Sequence, residues 1–331
     1  PHLVLIAGAG MAGLVAAVRA RELGLEPVVI EKGTRAGGSM LLSSGVVWRH
    51  LEWDDFRAEC PGGDETLQRL VWERLDDALA WLVSLGAEPV WDDTENPRTT
   101  GKRFDPRALT ELLLARVDVR LQKALPPDAE PPVVLATGGF GRRLAEERGL
   151  LLRANPWSAG DALDWAIAQG ASLSSGMGEF YGRAMPARPA RIGQQDFVRL
   201  SQLYGREARV LTDDGRDITP RKVAWHENDL AQLIGKSAWY VVTRMNERIE
   251  AARAAGGTVV EHDDGRIAVH VCAGVTHTIG GLRVDENARV VGLDGVWAAG
   301  VDVGGIATGG YSSGLAQALV LGLTAAEDAA S

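Results

Sequence analysis

Cysteine is nearly absent. Cys60 and Cys272 are the only two, too few for a disulfide framework or a thiolate metal cluster, and they suit buried thiols in a reducing, cytoplasmic setting. A basic surplus is also missing. The net charge of -9 at pH 7 argues against a nucleic-acid surface, which needs a cationic stripe. No apolar run reaches the ~18 residues of a membrane span. The first residues show neither the basic stretch nor the cleavage site of a secretory leader. No nucleophile elbow supports Ser/His/Asp chemistry, and no Cys/His group has metal-ligand spacing. Internal repeats and low-complexity tracts are lacking too. What remains is an acidic globular chain of 331 residues, long enough for a large core or two domains.

Glycine is plentiful, at 40 residues against a usual share of ~7%. Its placement carries the information. The apolar run Val4-Leu5-Ile6-Ala7 leads into Gly8-Ala9-Gly10-Met11-Ala12-Gly13, then into a helix-forming stretch that stops at Gly24. A second apolar run, Val28-Val29-Ile30, ends on Glu31. Strand, Gly-x-Gly-x-x-Gly turn, helix, strand and acid are the order of a dinucleotide-binding unit. Gly8 permits the turn, Gly10 admits a pyrophosphate to the backbone, and Gly13 lets helix and strand pack. Glu31 is placed to accept from ribose hydroxyls. A further pair, Gly37-Gly38, with Ser39, Ser43 and Ser44 after it, suits a longer cofactor whose ribityl chain lies on bare backbone.

Residues 48–105 read as helical and loop-rich, with one amphipathic helix over Thr66–Leu85. Asp105-Pro106 is a helix start, the acid as cap and proline in the first turn. Residues 122–132 read as a connector. Val133–Leu135 is a buried strand ending on Ala136-Thr137-Gly138-Gly139. Asn155–Asp161 caps a helix ending near Gly170. From about 176 to 268 arginines and aromatics mix with short strands, which suggests a small α+β lobe. Glycines return at Gly280-Gly281 and in the loop Gly304–Gly314, which feeds a terminal helix. That second Gly-rich helix start is a further anion-stabilising device.

Read in order, Gly8-x-Gly10-x-x-Gly13, Glu31, Gly37-Gly38, Ala136-Thr137-Gly138-Gly139-Phe140, Thr276-His277-Thr278-x-Gly280-Gly281 and Ala299-Gly300-x-x-x-Gly304-Gly305 resemble one family. It is the FAD-binding flavoprotein superfamily of fumarate reductase and succinate dehydrogenase, which includes 3-ketosteroid and tricarballylate-type dehydrogenases. The resemblance implies an α/β fold: a glutathione-reductase-like FAD-binding domain with a Rossmann-type parallel sheet and a small inserted α+β capping domain. The expected division is 1–175 and 269–331 for the discontinuous FAD-binding domain, and 176–268 for the cap, with the flavin ring at their interface.

The resemblance also implies roles. Gly8, Gly10 and Gly13 match the pyrophosphate turn and Glu31 the ribose acid. Gly37, Gly38 and Ser39 match the ribityl and flavin stretch, with Ser44 and Gly45 beyond. Ala136, Thr137 and Gly138 match a strand end near the adenosine half. Asp302 stands one place past the position of a family acid. Gly314 and Leu315, after Ser313, match the helix start beneath flavin N1 and C2=O. Ala12, Lys32, Asp161 and Gly300 complete the cofactor-binding set. No histidine stands where succinate dehydrogenases attach FAD, so binding is expected to be non-covalent.

His277 matches a histidine that holds a substrate carboxylate in the fumarate reductase branch. Tyr311 stands where that branch has a substrate-binding arginine, and a phenol cannot clamp a carboxylate bidentately. Tyr181 and Arg183 lie where the chain passes into the cap. Those four are the catalytic candidates; Tyr204, Arg206 and His226 rank behind them.

The expected activity is hydride transfer between flavin N5 and a small substrate activated by a carbonyl or carboxylate, by α,β-dehydrogenation or enoyl reduction. Two alternatives stay open: a flavin-binding protein without catalysis, and a nicotinamide-dependent Rossmann dehydrogenase. Only one full dinucleotide fingerprint is present, so the electron partner is external and unidentified. The oligomeric state is open, and a homo-oligomer is compatible with it.

Overall fold

The apolar run before Gly8 forms β1 (Leu3–Ala7), and the helix former after it is α1 (Met11–Glu22), followed by β2 (Glu26–Glu31). Next come β3 (Val46–His50), α2 (Trp53–Glu59), α3 (Glu65–Ser84), β4 (Pro89–Trp91), β5 (Thr99–Phe104), α4 (Pro106–Leu114), β6 (Val119–Leu121) and β7 (Val133–Leu135). The chain continues through α5 (Gly141–Arg148), β8 (Leu151–Leu152), α6 (Asp161–Ala168), β9 (Phe180–Pro186), β10 (Arg209–Leu211) and α7 (Asn228–Ile234). It ends with β11 (Ala238–Val242), α8 (Glu247–Ala254), β12 (Val259–Glu261), β13 (Ile267–Thr278), β14 (Val296–Ala298) and α9 (Gly314–Ala329). This is a computed structural model, and it describes residues 2–331. None of the described helices is long and apolar enough to cross a membrane.

Two compact units divide the chain. The first runs to Phe140 and adds Asn155–Glu179 and Thr278–Ser331; the second takes Gly141–Ala154 and Phe180–His277. The first unit holds a five-stranded sheet in the order β14-β7-β1-β2-β6, every neighbouring pair parallel. Its central strands are continuous apolar runs because helices cover the sheet. Helix α1 shows the consequence. Nine of its residues, from Met11 to Ala20, are buried, and its polar residues, Arg19, Arg21 and Glu22, are confined to the last turn. Helix α9 packs against it closely enough that a Cβ on Gly322 would lie 2.7 Å from the Ala12 carbonyl.

Residues 48–105 differ from the helical reading. Strands β3, β5 and β4 form an antiparallel sheet between residues 46 and 104. Helix α3 does form, capped by the Asp64 side chain on Leu67 N–H at 3.1 Å. Asp105 caps α4 by accepting from Ala108 N–H at 2.8 Å, with Pro106 in the first turn. Cys60 is fully buried, whereas Cys272 is only partly so.

In the second unit the long strand β13 is the spine. It pairs antiparallel with β11 and β12 and parallel with β8. Strand β9 also pairs with β13. Helix α7 is tied to β9 by side-chain amides: Asn228 Oδ1 accepts from Gly182 N–H at 3.0 Å, and Gln232 Nε2 donates to the Phe180 carbonyl.

Candidate functional site

The turn between β1 and α1 is built by exclusion. Gly8 has φ +107°, and a Cβ there would sit 1.9 Å from the Ala136 carbonyl oxygen at the end of β7. A Cβ on Gly13 would sit 1.9 Å from the Gly8 carbonyl oxygen. Gly10 faces another glycine, with Gly38 Cα 3.8 Å from its Cβ position. Gly37 N–H donates to the Ala9 carbonyl at 2.7 Å, which holds the second glycine pair against the first turn. The cap of α1 is Gly10, without a side-chain hydrogen bond, and the first turn carries no acid. Its leading N–H groups thus have no side-chain cap and no acid beside them, the arrangement that receives phosphates.

Glu31 is buried at the end of β2. Its Oε2 accepts from Ala9 N–H at 2.9 Å and its Oε1 from Gly33 N–H at 2.7 Å. The carboxylate therefore braces the turn, and each oxygen keeps a lone pair for another donor. Beside it opens a cleft lined by Ala7, Gly8, Ile30, Glu31, Lys32, Thr137 and Asp161. Four further lining residues were not singled out from sequence: Lys123, Leu125, Asn155 and Trp157. Lys123 and Leu125 belong to the expected connector, and Asn155 and Trp157 to the expected helix cap. Within that segment the cap of α6 is Gly160, at φ +93°. Asn155 N–H donates to Ser39 Oγ at 3.1 Å, so Ser39 is engaged by this segment.

At the end of β7 a buried acid gathers donors. Asp302 Oδ1 accepts from Gly139 N–H at 2.8 Å and from Thr137 Oγ1 at 3.0 Å, and Oδ2 accepts from Thr137 N–H. Burial pushes its carboxyl up to about 6, against the opposing pull of those donors. Gly138, at φ +90°, has only Ser158 Cβ within reach of a Cβ, at 3.6 Å. Gly45 and Gly300 serve packing: a Cβ would meet the Phe104 carbonyl at 2.0 Å in one and Ala12 Cβ at 2.9 Å in the other. Ser44 is exposed, and its carbonyl accepts from Arg103 Nε at 2.9 Å.

The last Gly-rich loop is also packed against protein. A Cβ on Gly304 would lie 1.9 Å from Gly281 N, and one on Gly310 would lie 1.7 Å from the Glu59 carbonyl. Ser313 caps α9, accepting from Ala316 N–H at 3.2 Å, and Gly314 and Leu315 follow in its first turn. The residues Gly310-Tyr311-Ser312-Ser313-Gly314 have Gly-x-Ser-x-Gly spacing. No strand leads into them, and buried Ser312 accepts from Gln317 Nε2 at 2.7 Å, so they form no nucleophile elbow. Tyr311 is buried edge-to-face on Trp48, with ring centroids 5.8 Å apart.

The other catalytic candidates all lie in the second unit. The Tyr181 and His277 rings are 5.2 Å apart, and the Arg183 guanidinium lies 5.2 Å from the Tyr181 ring centre. Arg183 also donates to the His226 carbonyl. His226 Nδ1 accepts from Asn228 N–H at 3.2 Å. Arg206 donates its backbone N–H to Glu227 Oε1 at 3.1 Å. Burial pushes the Glu227 carboxyl up, opposed by that N–H and by Arg183. Tyr204 donates to Gln202 Oε1 at 2.7 Å. Of these secondary candidates, His226 contacts Arg183, while Tyr204 and Arg206 bond to Gln202 and Glu227.

Glu31→Ala removes a buried charged acceptor from two backbone donors and from any ribose beside it. FAD affinity is expected to fall roughly 10- to 100-fold, on the basis of ~1.5–3 kcal/mol per charge-assisted hydrogen bond. A fluorescence titration with FAD measures this, and unchanged affinity would remove Glu31 from the site.

An uncapped helix start over bare backbone, a buried acid and an adjoining cleft suit an extended dinucleotide. Residues 4–123 and 128–314 match the family model described as FAD binding domain. The probable fumarate reductase Ifc3 of Shewanella frigidimarina is 23% identical, over 99% of this chain and 74% of that protein. The 3-ketosteroid Δ1-dehydrogenase of Sterolibacterium denitrificans superposes with a TM-score of 0.77 at 15% identity, covering 100% of both chains. The open conformation of a flavocytochrome c3 fumarate reductase gives 0.73 at 19% identity, covering 99% of this chain and 78% of that one. The nicotinamide alternative gives way to these matches. The chain belongs to the FAD binding domain family and is an FAD-dependent oxidoreductase.

Proposed function

We propose that the protein oxidises or reduces a small substrate at a carbon–carbon bond next to a carbonyl or carboxylate. The Tyr181–His277–Arg183 cluster carries this reading. FAD, when bound, supplies the hydride acceptor or donor. Gly8, Gly10, Gly13, Glu31, Gly37, Gly38 and Thr137 would hold it, without a covalent bond.

The second unit is taken as the substrate side. The Tyr181 hydroxyl and the His277 ring nitrogens can hold or move a proton on the carbon beside the reacting one. Arg183, fixed on the His226 carbonyl, keeps a positive charge beside the phenol and suits a substrate oxygen. In the first unit Tyr311 offers one hydrogen bond where an arginine would offer two, which favours a ketone or enone over a dicarboxylate. The names of the relatives, a fumarate reductase and 3-ketosteroid dehydrogenases, support the same bond type. With a single dinucleotide fingerprint, the second half-reaction falls to an external carrier.

Photoreduction of the flavin, followed anaerobically by reoxidation with a panel of enones and unsaturated acids, tests this reading. Enones are expected to reoxidise it fastest. If nothing on the panel does so, the reading of a carbonyl- or carboxylate-activated substrate fails. Tyr311→Phe is expected to lower turnover by roughly 10-fold, one lost hydrogen bond of ~1–1.5 kcal/mol, with FAD content unchanged. Equal turnover would return Tyr311 to a packing role on Trp48.

A further inference from the structure

One ion pair ties the two sides of the cleft. Lys32 Nζ lies 2.9 Å from Asp161 Oδ1. Lys32 follows the last residue of β2, and Asp161 is the first residue of α6. Both line the cleft beside Glu31, Thr137 and Trp157. The start of α6 is anchored to the end of β7 on its other flank, through Ala162 N–H to Thr137 Oγ1 at 3.3 Å and Gly160 N–H to the Gly139 carbonyl at 3.0 Å. Toward β2 it has a softer attachment: the ion pair, and the Trp157 ring lying over Gly33, whose Cβ position is 2.5 Å from the indole. The pair can therefore part without breaking a backbone hydrogen bond.

We propose that Lys32 and Asp161 form a strap across the adenosine half of bound FAD, and that its opening sets how long the cofactor stays. The side chains are 37% and 25% exposed, so water screens the pair when the cleft is open. A cofactor filling the cleft excludes water from one side of the pair and strengthens it. Cofactor and strap then stabilise one another. Lys123, also at the cleft, has no carboxylate partner among the described residues, so the Lys32 charge alone is tied down.

The inference rests on the assignment of FAD to this cleft and is independent of the substrate reading. Its test uses the FAD-loaded protein and follows the gain of flavin fluorescence on dilution into low or high salt, about 0.02 and 0.5 M, which bracket a long and a short Debye length. Wild-type release is expected to quicken severalfold at high salt. Lys32→Met and Asp161→Asn should each release FAD about three- to tenfold faster at low salt and lose most of the salt effect. The exchanged pair K32D/D161K should return release to within about twofold of wild type. Single variants that release FAD at the wild-type rate overturn the strap. So does an exchanged pair no slower than the singles, since Lys32 would then serve the cofactor directly. Wild-type protein that binds no FAD would remove the cofactor assignment itself, whereas unchanged release rates leave that assignment and the proposed reaction intact.

Discussion

Gly13→Ala is expected to leave the protein without FAD and less stable by about 3 kcal/mol. The added methyl would stand 1.9 Å from the Gly8 carbonyl oxygen and 2.9 Å from its carbon. Both atoms are backbone, so no rotamer change relieves the clash. Gly8 cannot retreat, because its own Cβ position is already 1.9 Å from the Ala136 oxygen. The strain passes from α1 through β1 to the end of β7 and opens the turn that receives the phosphates. Gly24→Ala is the control. Unlike Gly13, which lies within α1, Gly24 has a positive φ, +85°, but nothing lies within 4 Å of its Cβ position. It should cost only about 1–2 kcal/mol and keep its FAD. Urea unfolding of the FAD-free proteins and flavin content after loading separate the two. If Gly13→Ala behaves like Gly24→Ala, the helix–strand contact does not organise the site.

The second large effect concerns Asp302. A free aspartate titrates near ~3.9, and burial moves this one up to about 6. Between those values the folded protein keeps a proton that the unfolded chain has released. Stability therefore falls as pH rises from about 4 to about 6, and the loss is complete above 6. Two pH units at ~1.36 kcal/mol each make that loss about 3 kcal/mol. Asp302→Asn cannot titrate. The difference in unfolding free energy between wild type and Asp302→Asn should shift by about that amount between pH 4 and 7, to the disadvantage of wild type at the higher pH. Parallel profiles would mean that the carboxylate is not desolvated. A protein that holds an ionised acid here at neutral pH keeps three donors of the Thr137–Gly139 strand end fixed at the expense of stability.

The parallel sheet and its first turn were legible because their signals are local. Gly8, Gly10, Gly13 and Glu31 lie within one strand-helix-strand unit, and each requirement falls on a single residue. The sheet β3-β5-β4 was hidden by Thr99-Thr100-Gly101-Lys102-Arg103, whose charged and small residues give no alternating pattern. The cleft wall was hidden for another reason. Lys123, Leu125, Asn155 and Trp157 sit in irregular segments, where periodicity says nothing about direction. The resemblance marked Asp302 as near the cofactor, but its donors lie more than 160 residues earlier in the chain. Glycines at 281 and 304 suggested a ligand and instead mark a crossing of two backbones.

The position of β14 has a consequence for how the chain is made. Val296–Ala298 covers the outer side of β7, whose Val133, Val134 and Leu135 are all buried. On a ribosome, β7 emerges about 160 residues before its neighbour. At ~5–20 residues per second, that leaves an apolar strand edge open for on the order of 10–30 s. Throughout that interval any other extended chain can pair with it. Newly made protein should thus be most prone to mispairing late in synthesis, and fragments stopped before Val296 should be caught by chaperones or aggregate.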